Sequence, residues 1–266
     1  MGQAGNASAD DHPRAAPISA TVLTKNSERL LAAVLNSLSW CDEVVVLDTG
    51  STDRTLGIAV TFENVSLRRL EGPFPGFGLA HRRAVEYAKH DWILSVDSDE
   101  VLTPQLIAEI RALQLNAATV YSIPFRNHFN RRAITTCGWS PDYHERLFNR
   151  RCTNFCPSEV HERVQTAQLS VVKLRHPIHH YSYETLQDFL RKMNVYATLF
   201  AEQNVGKKKS SPWKAVTRSG WAFFKSYLFE RGVTQGREGM VISAYKAQTV
   251  FWKYLMLDEA NRRRKG

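Results

Sequence analysis

Apolar runs that each stop at a polar tip recur through the first hundred residues. Ile18 to Leu23 ends at Thr24-Lys25-Asn26, Glu43 to Leu47 ends at Asp48-Thr49-Gly50-Ser51-Thr52-Asp53, and Trp92 to Val96 ends at Asp97-Ser98-Asp99. Unbroken apolar runs of this length predict strands buried on both faces. Behind Ser27, which has the character of an N-cap, Leu30, Leu31, Val34, Leu35 and Leu38 recur at helical spacing. Further helices are expected from Arg54, through Ala80, Ala84, Val85 and Ala88, and from Thr103-Pro104 to about Leu115, with a Gly- and Pro-rich loop at 72–78. Strand and helix alternating over short connections predict an α/β fold, a mostly parallel sheet flanked by helices.

After Val120 the pattern is mixed. Tyr121 to Phe125, Arg146 to Phe148 and Ser170 to Leu174 read as strands, and long helical patterns take over from Tyr183. Three regions follow. Residues 1–17, rich in Ala, Gly, Asp and Pro, are a disordered lead-in; 18–182 form the main domain, with halves 18–120 and 121–182; 183–266 form a helical, basic extension. No stretch approaches the ~20 apolar residues of a membrane span, and residues 1–17 have no apolar core to act as an export signal. A cytoplasmic protein is therefore expected.

Charge divides along the same lines. Residues 1–120 hold ten Lys and Arg against fifteen Asp and Glu, net −5, whereas 121–266 hold twenty-five against eleven, net +14. An acidic half suits a metal ion and a basic half seeks phosphate or another anion. No nucleic-acid-binding module is recognisable, so no nucleic-acid partner is expected beyond a nucleotide. Cys152 and Cys156 with His161 offer only a loose zinc spacing, and free thiols fit better. In the segment Pro212 to Arg231, Trp213, Val216, Phe223, Phe224, Tyr227 and Leu228 share one broad helical face flanked by Lys214, Arg218 and Lys225. That face fits either core packing or a helix resting on a membrane's inner leaflet.

The candidate chemistry begins at Asp97 and Asp99. Two carboxylates at the end of a buried strand are unfavourable unless something positive sits on them, and hard oxygen ligands suit Mg²⁺ or Mn²⁺ holding a phosphate. In open parallel sheets ligands sit at the carboxyl ends of the strands, where Asn26, Asp48 and Asp97 would meet. Asp53 reads as a helix-start acid, and Arg82 either contacts a diphosphate or pairs with Glu86.

With Thr24-Lys25-Asn26, Asp48-Thr49-Gly50-Ser51-Thr52-Asp53-Arg54-Thr55 and the DXD-type Asp97-Ser98-Asp99-Glu100 in place, the chain resembles a family 2 glycosyltransferase of GT-A fold. Arg146-Leu147-Phe148-Asn149-Arg150, Val160-His161-Glu162 and the aromatic, basic C-terminal helices narrow the resemblance to bacterial lipopolysaccharide inner-core β-1,4-glucosyltransferases that act on heptose. It extends from about Ile18 to Leu257. The resemblance implies an inverting transferase using a UDP-sugar, UDP-glucose in the first instance, with Mg²⁺ or Mn²⁺. It also implies an anionic, lipid-linked saccharide acceptor met on the inner face of the inner membrane. By the same resemblance Asp97 meets the ribose, Asp99 the metal and Asp48 the uracil, with Thr24 and Asn26 walling the nucleotide and Arg82 near the diphosphate.

Inversion in one displacement needs a base for the acceptor hydroxyl proton. Glu162 is the first choice, with Glu159 and Asp142 as competitors; His161 is a candidate to ligate the metal or orient the base, and His180 for the phosphates or the metal. One turn departs from the family pattern: Gly232-Val233-Thr234-Gln235-Gly236 stands where Gly-x-x-Asp-Gly is usual. Two other readings stay open: the same fold acting on a peptide or another glycan, and a non-catalytic UDP-binding membrane adaptor.

Overall fold

The computed structural model describes residues 16–157 and 163–264. In chain order the elements are β1 Ile18–Thr24, α1 Leu31–Ser37, β2 Glu43–Asp48, α2 Thr55–Ala59, β3 Val65–Arg69, α3 Phe77–Glu86, β4 Trp92–Asp97, β5 Glu100–Leu102, α4 Pro104–Arg111 and β6 Thr119–Phe129. Then follow β7 Arg132–Ala133, β8 Tyr143–Asn149, β9 Ser170–Lys173, β10 Ile178–Tyr183, α5 Leu186–Asn204, α6 Pro212–Phe224 and α7 Gly236–Arg263. A π-helical turn, Lys225–Phe229, continues α6, and a 3₁₀ turn, Gly232–Gln235, precedes α7. The chain forms two compact units, one from Met1–Ile123 and Glu145–His176, the other from Pro124–His144 and Pro177–Gly266. Strands β6 and β8 each pass from one unit into the other, so the segment 121–182 contributes to both.

In the first unit β1 lies between β2 and β4, parallel to both, and β3 extends the sheet parallel to β2. Next to β4 comes β8, antiparallel. Every residue of β1 and β2 is buried, as expected of central parallel strands covered by helices on both faces. Register sets the site: Thr24 lies opposite Asp48 on one side, and Leu23 opposite Asp97 on the other. The apolar face of α3 packs Ala80 and Ala84 on Leu23 and Leu47, and Val85 and Ala88 on Ile93 and Phe148.

The second unit is mainly helical. Thr185 and Asp188 form a reciprocal capping box that opens α5, and Ser211 caps α6 ahead of Pro212. Its core joins Phe129, Ile134, Cys137, Phe189 and Ile242, with Trp139 and Tyr245 against them. The 28-residue α7 enters this core through Gly239, where a Cβ would stand 1.9 Å from the carbonyl oxygen of Gly232. Only glycine admits that approach. Among the described residues no helix is long and apolar enough to cross a membrane.

Several local expectations change. Ser27 does not cap α1; residues 27–30 form a turn, the helix starts at Leu31, and the Ser27 hydroxyl instead meets that of Ser98 at 2.7 Å. Helix α4 stops at Arg111, short of Leu115. Strands β3, β5, β7 and β10 add to those read from the pattern. Half-buried or short strands carry little apolar periodicity, and this hid them.

Candidate active site

The carboxyl edge of β1, β2 and β4 gathers polar groups in a small space. Asp48 is buried at the end of β2, and its carboxylate accepts from the backbone N–H groups of Gly50 and Ser51 at 3.1–3.2 Å. Gly50, at φ +108°, takes the conformation that closes this turn. Asn26 joins the neighbouring loop to it: its side-chain oxygen accepts from Thr52 N–H at 2.8 Å and its own N–H donates to Ser51 Oγ at 2.9 Å. Thr24 accepts from Thr49 through its carbonyl, while its buried hydroxyl has no hydrogen-bond partner among the described residues. Asp53 serves the start of α2, accepting from Thr55 N–H at 2.9 Å, as a helix-start acid should.

Asp97 sits at the tip of β4. Its carboxylate takes a 2.8 Å bond from Arg146 of β8, whose same guanidinium nitrogen reaches Glu100 at 2.5 Å. Glu100, fully buried, also accepts from the Asp97 N–H at 2.9 Å. Burial works against charge on Asp97, but Arg146, and after it His81, hold its carboxyl well below the ordinary carboxylate range. For Glu100 burial dominates and, with the charges of Asp97 and Asp99, pushes the carboxyl up despite Arg146. Asp99 follows on the same turn, half-buried, with a carboxylate oxygen within 4.8 Å of one of Glu100.

Asp97 and Glu100 thus share the Arg146 guanidinium, with the Asp99 carboxylate beside Glu100. The carboxylate oxygens of Asp99 and Glu100 are the kind of ligand that suits a hard divalent cation such as Mg²⁺ or Mn²⁺. Asp97, already engaged by Arg146, suits a ligand hydroxyl better than a metal.

His81 on α3 was not foreseen. It is buried among the apolar positions of that helix, its ring stacked on Phe155 at 4.5 Å and its Nε2 3.7 Å from Asp97. Burial, reinforced by Arg146 and opposed by Asp97, lowers its pKa to about 4, so the ring is neutral at pH 7. The unfolded chain, at the ordinary 6.5, takes the proton first as pH falls. The stability linked to His81 is therefore complete above about pH 6.5, is lost progressively down to about pH 4, and amounts to about 3 kcal/mol. The urea midpoint of the wild type should fall more between about pH 7.5 and 4.5 than that of His81→Gln. Equal falls would refute this account of the buried ring.

Arg82 lies in the middle of α3, not at its start, and donates to the Phe155 carbonyl at 3.1 Å. The anticipated Arg82–Glu86 pair is not what forms; Arg83 meets Glu86 at 3.0 Å instead. In the second unit, His180 on β10 shares a 2.7 Å bond with Asn127. Asp142 accepts from Asn127 at 3.1 Å and lies 2.9 Å from His144. Against the effect of burial, His144 and then Asn127 hold the Asp142 carboxyl below its ordinary value. Glu159, His161 and Glu162 lie outside the described residues.

The sequence profile of Glycosyl transferase family 2 matches residues 19–173, which takes in every strand tip just described. The chain belongs to that family. This family 2 glycosyltransferase is 28% identical over 261 residues to an uncharacterized glycosyltransferase of Rickettsia felis, covering 91% of this chain and 90% of that one. It is 25% identical over 226 residues to the lipopolysaccharide core biosynthesis glycosyltransferase LpsC of Rhizobium meliloti, covering 82% of each. Among solved structures, the mannosyltransferase PcManGT from Pyrobaculum calidifontis in complex with GDP-Man and Mn²⁺ matches with a TM-score of 0.54 at 13% identity, over 96% of this chain and 92% of that one. The fold of this family 2 glycosyltransferase is thus GT-A, a mostly parallel α/β sheet with a C-terminal helical extension, as expected.

Proposed function

We propose that this glycosyltransferase moves a hexose, glucose from UDP-glucose, onto a heptose of the lipopolysaccharide inner core with inversion. The observation that carries the proposal is the carboxyl-edge cluster in which Asp97 and Glu100 meet Arg146 and Asp99 stands beside Glu100. Such an edge suits a nucleotide diphosphate and its counter-ion. The likeness to LpsC, a lipopolysaccharide core biosynthesis enzyme, supports the acceptor class, and the GDP-Man and Mn²⁺ held by PcManGT support a nucleotide-sugar with a divalent ion.

In this reading Asp97 orients the ribose, while Asp48, Thr24 and Asn26 border the base; the unpartnered Thr24 hydroxyl has capacity for a ligand bond. Asp99 holds Mg²⁺ or Mn²⁺, which when bound neutralises charge developing on the diphosphate. Glu162 takes the proton of the acceptor hydroxyl as that oxygen bonds to the anomeric carbon and the bond to the diphosphate oxygen breaks.

The test is product analysis by mass spectrometry with UDP-glucose, other UDP-hexoses and GDP-mannose, each offered with purified heptose-terminated core lipid, with Mn²⁺ and with EDTA. Glucosylated core from UDP-glucose, suppressed by EDTA, is the expected result. A product only on a peptide or a different glycan would move the acceptor class. Tight UDP binding without any turnover would replace the enzyme with a nucleotide-binding adaptor.

A further inference from the structure

Helix α6 leaves its aromatic side unpartnered. At about 100° per residue, Trp213, Val216, Gly220, Trp221 and Phe224 occupy an arc of about 140°. Trp213 is 75% exposed, Trp221 58% and Phe224 55%, unusual values for residues of this size. The opposite side carries the packing: Ala215 is buried, Ser219 donates to the Ala247 carbonyl of α7 at 2.9 Å, and Ser226 meets Ser243 of α7 at 3.0 Å. Core packing, one of the two expectations for this segment, thus uses the small residues, keeps Phe223 and Tyr227 half-buried and leaves Trp213, Trp221 and Phe224 outside.

The π-helical turn enlarges the exposed face. Continued as an α-helix, Phe229 would point about 140° away from Phe224. Instead the Glu230 N–H donates to the Lys225 carbonyl at 2.8 Å, an i→i+5 closure that adds a residue to the turn. Phe229, 71% exposed, then lies with its ring centroid 5.9 Å from that of Trp221, eight residues earlier. Leu228 is exposed beside it. One local irregularity therefore adds a fourth ring to a surface stripe. π-turns concentrate at functional positions.

Charge identifies the occupant. Residues 203–229 hold six Lys and Arg and no Asp or Glu. Lys207, Lys208 and Lys209 are exposed ahead of α6, while Lys214 and Arg218 follow the edge of the apolar arc. A protein surface or a second copy of this basic chain offers no matching charge by default, whereas an anionic bilayer supplies both an apolar layer and phosphate. We infer that α6 and its π-turn lie in the headgroup layer of an anionic membrane, with Trp213, Trp221 and Phe229 as anchors and Lys207, Lys208, Lys209, Lys214 and Arg218 at the phosphates, Lys225 being paired with Glu230. This deepens the proposed function, and rests on it only in that a lipid-linked acceptor would be met at such a surface.

The test uses the full chain and vesicles without any sugar acceptor. Co-sedimentation should occur with phosphatidylethanolamine vesicles containing phosphatidylglycerol, with a blue shift in tryptophan emission. It should weaken with added salt and on neutral phosphatidylcholine vesicles. The triple variant Trp213→Ser/Trp221→Ser/Phe229→Ser should lose about tenfold or more in partitioning, with unchanged circular dichroism. Wild-type protein that stays in solution, or a triple variant that partitions equally, overturns the inference. So does a wild-type dimer that the triple variant dissociates, since a second copy would then cover the face. Vesicle binding alongside a failed sugar assay would remove the acceptor assignment and leave this surface standing.

Discussion

Arg146→Met should lower the stability of the protein by about 3–5 kcal/mol, read as a drop in the urea midpoint at neutral pH. The substitution keeps the length and most of the volume of the side chain, so the loss is electrostatic. Without the guanidinium, Asp97 at the tip of β4 and Glu100 at the start of β5 lose the cation they share, and Glu100 is wholly buried. One of them must then take up a proton, a step that costs less as pH falls. The gap between wild type and variant should therefore narrow on moving from neutral pH to about pH 5. Arg146→Lys keeps the charge but loses the planar guanidinium, and should fall between the two. A loss below about 1 kcal/mol for Arg146→Met would mean that the carboxylates are solvated, and would remove Arg146 as the organiser of the edge.

Asp99→Ala should act in the opposite sense, sparing stability and removing activity. The bonds from Arg146 to Asp97 and Glu100 do not involve Asp99, so they survive the substitution and the urea midpoint should move far less than in Arg146→Met. Sugar transfer should fall by about 10³-fold or more, as when a group stabilising a leaving diphosphate is lost. Mn²⁺ binding, followed by calorimetry in the presence of UDP, should fall with it. Undiminished turnover would end the metal role of Asp99. Loss of turnover with intact Mn²⁺ affinity would place the ion on other ligands.

The two variants probe residues that differed in how readable they were. Asp48 and Asp97 could be picked out because each ends an unbroken apolar run, and a parallel sheet aligns such ends. Thr103-Pro104 was equally plain: the Thr103 hydroxyl accepts from Leu106 N–H, with Pro104 at the first helical position. Arg146 was quoted as part of a motif but not as a site residue, because its partners lie 46 and 49 positions earlier in the sequence. Only the antiparallel placement of β8 beside β4 brings them together. The available signal was a lone Arg leading into the apolar Leu147-Phe148 of a short strand. His81 was hidden differently. It shares a helical face with Ala80, Ala84 and Val85, and a histidine on an apolar stripe invites no chemistry until Asp97 is found beside it. Strand β10 alternates Ile178 with histidines and tyrosines that are only half-buried, so its periodicity was lost among polar residues. The aromatic stripe of α6 was seen as a stripe, but Phe229 was not in it, since a π-turn leaves no mark in a pattern counted at 3.6 residues.

Neither compact unit is a continuous stretch of chain, because β6 and β8 each cross from one to the other. This affects the order in which the protein can be assembled on a ribosome. Domains of ordinary chains close one after another as they emerge. Here the first unit waits for residues up to His176, while 124–144, already outside, wait for the helices after Pro177. Expressing 1–182 alone would leave that early segment without the helices it packs on, so the halves should be studied by substitution and not by dissection.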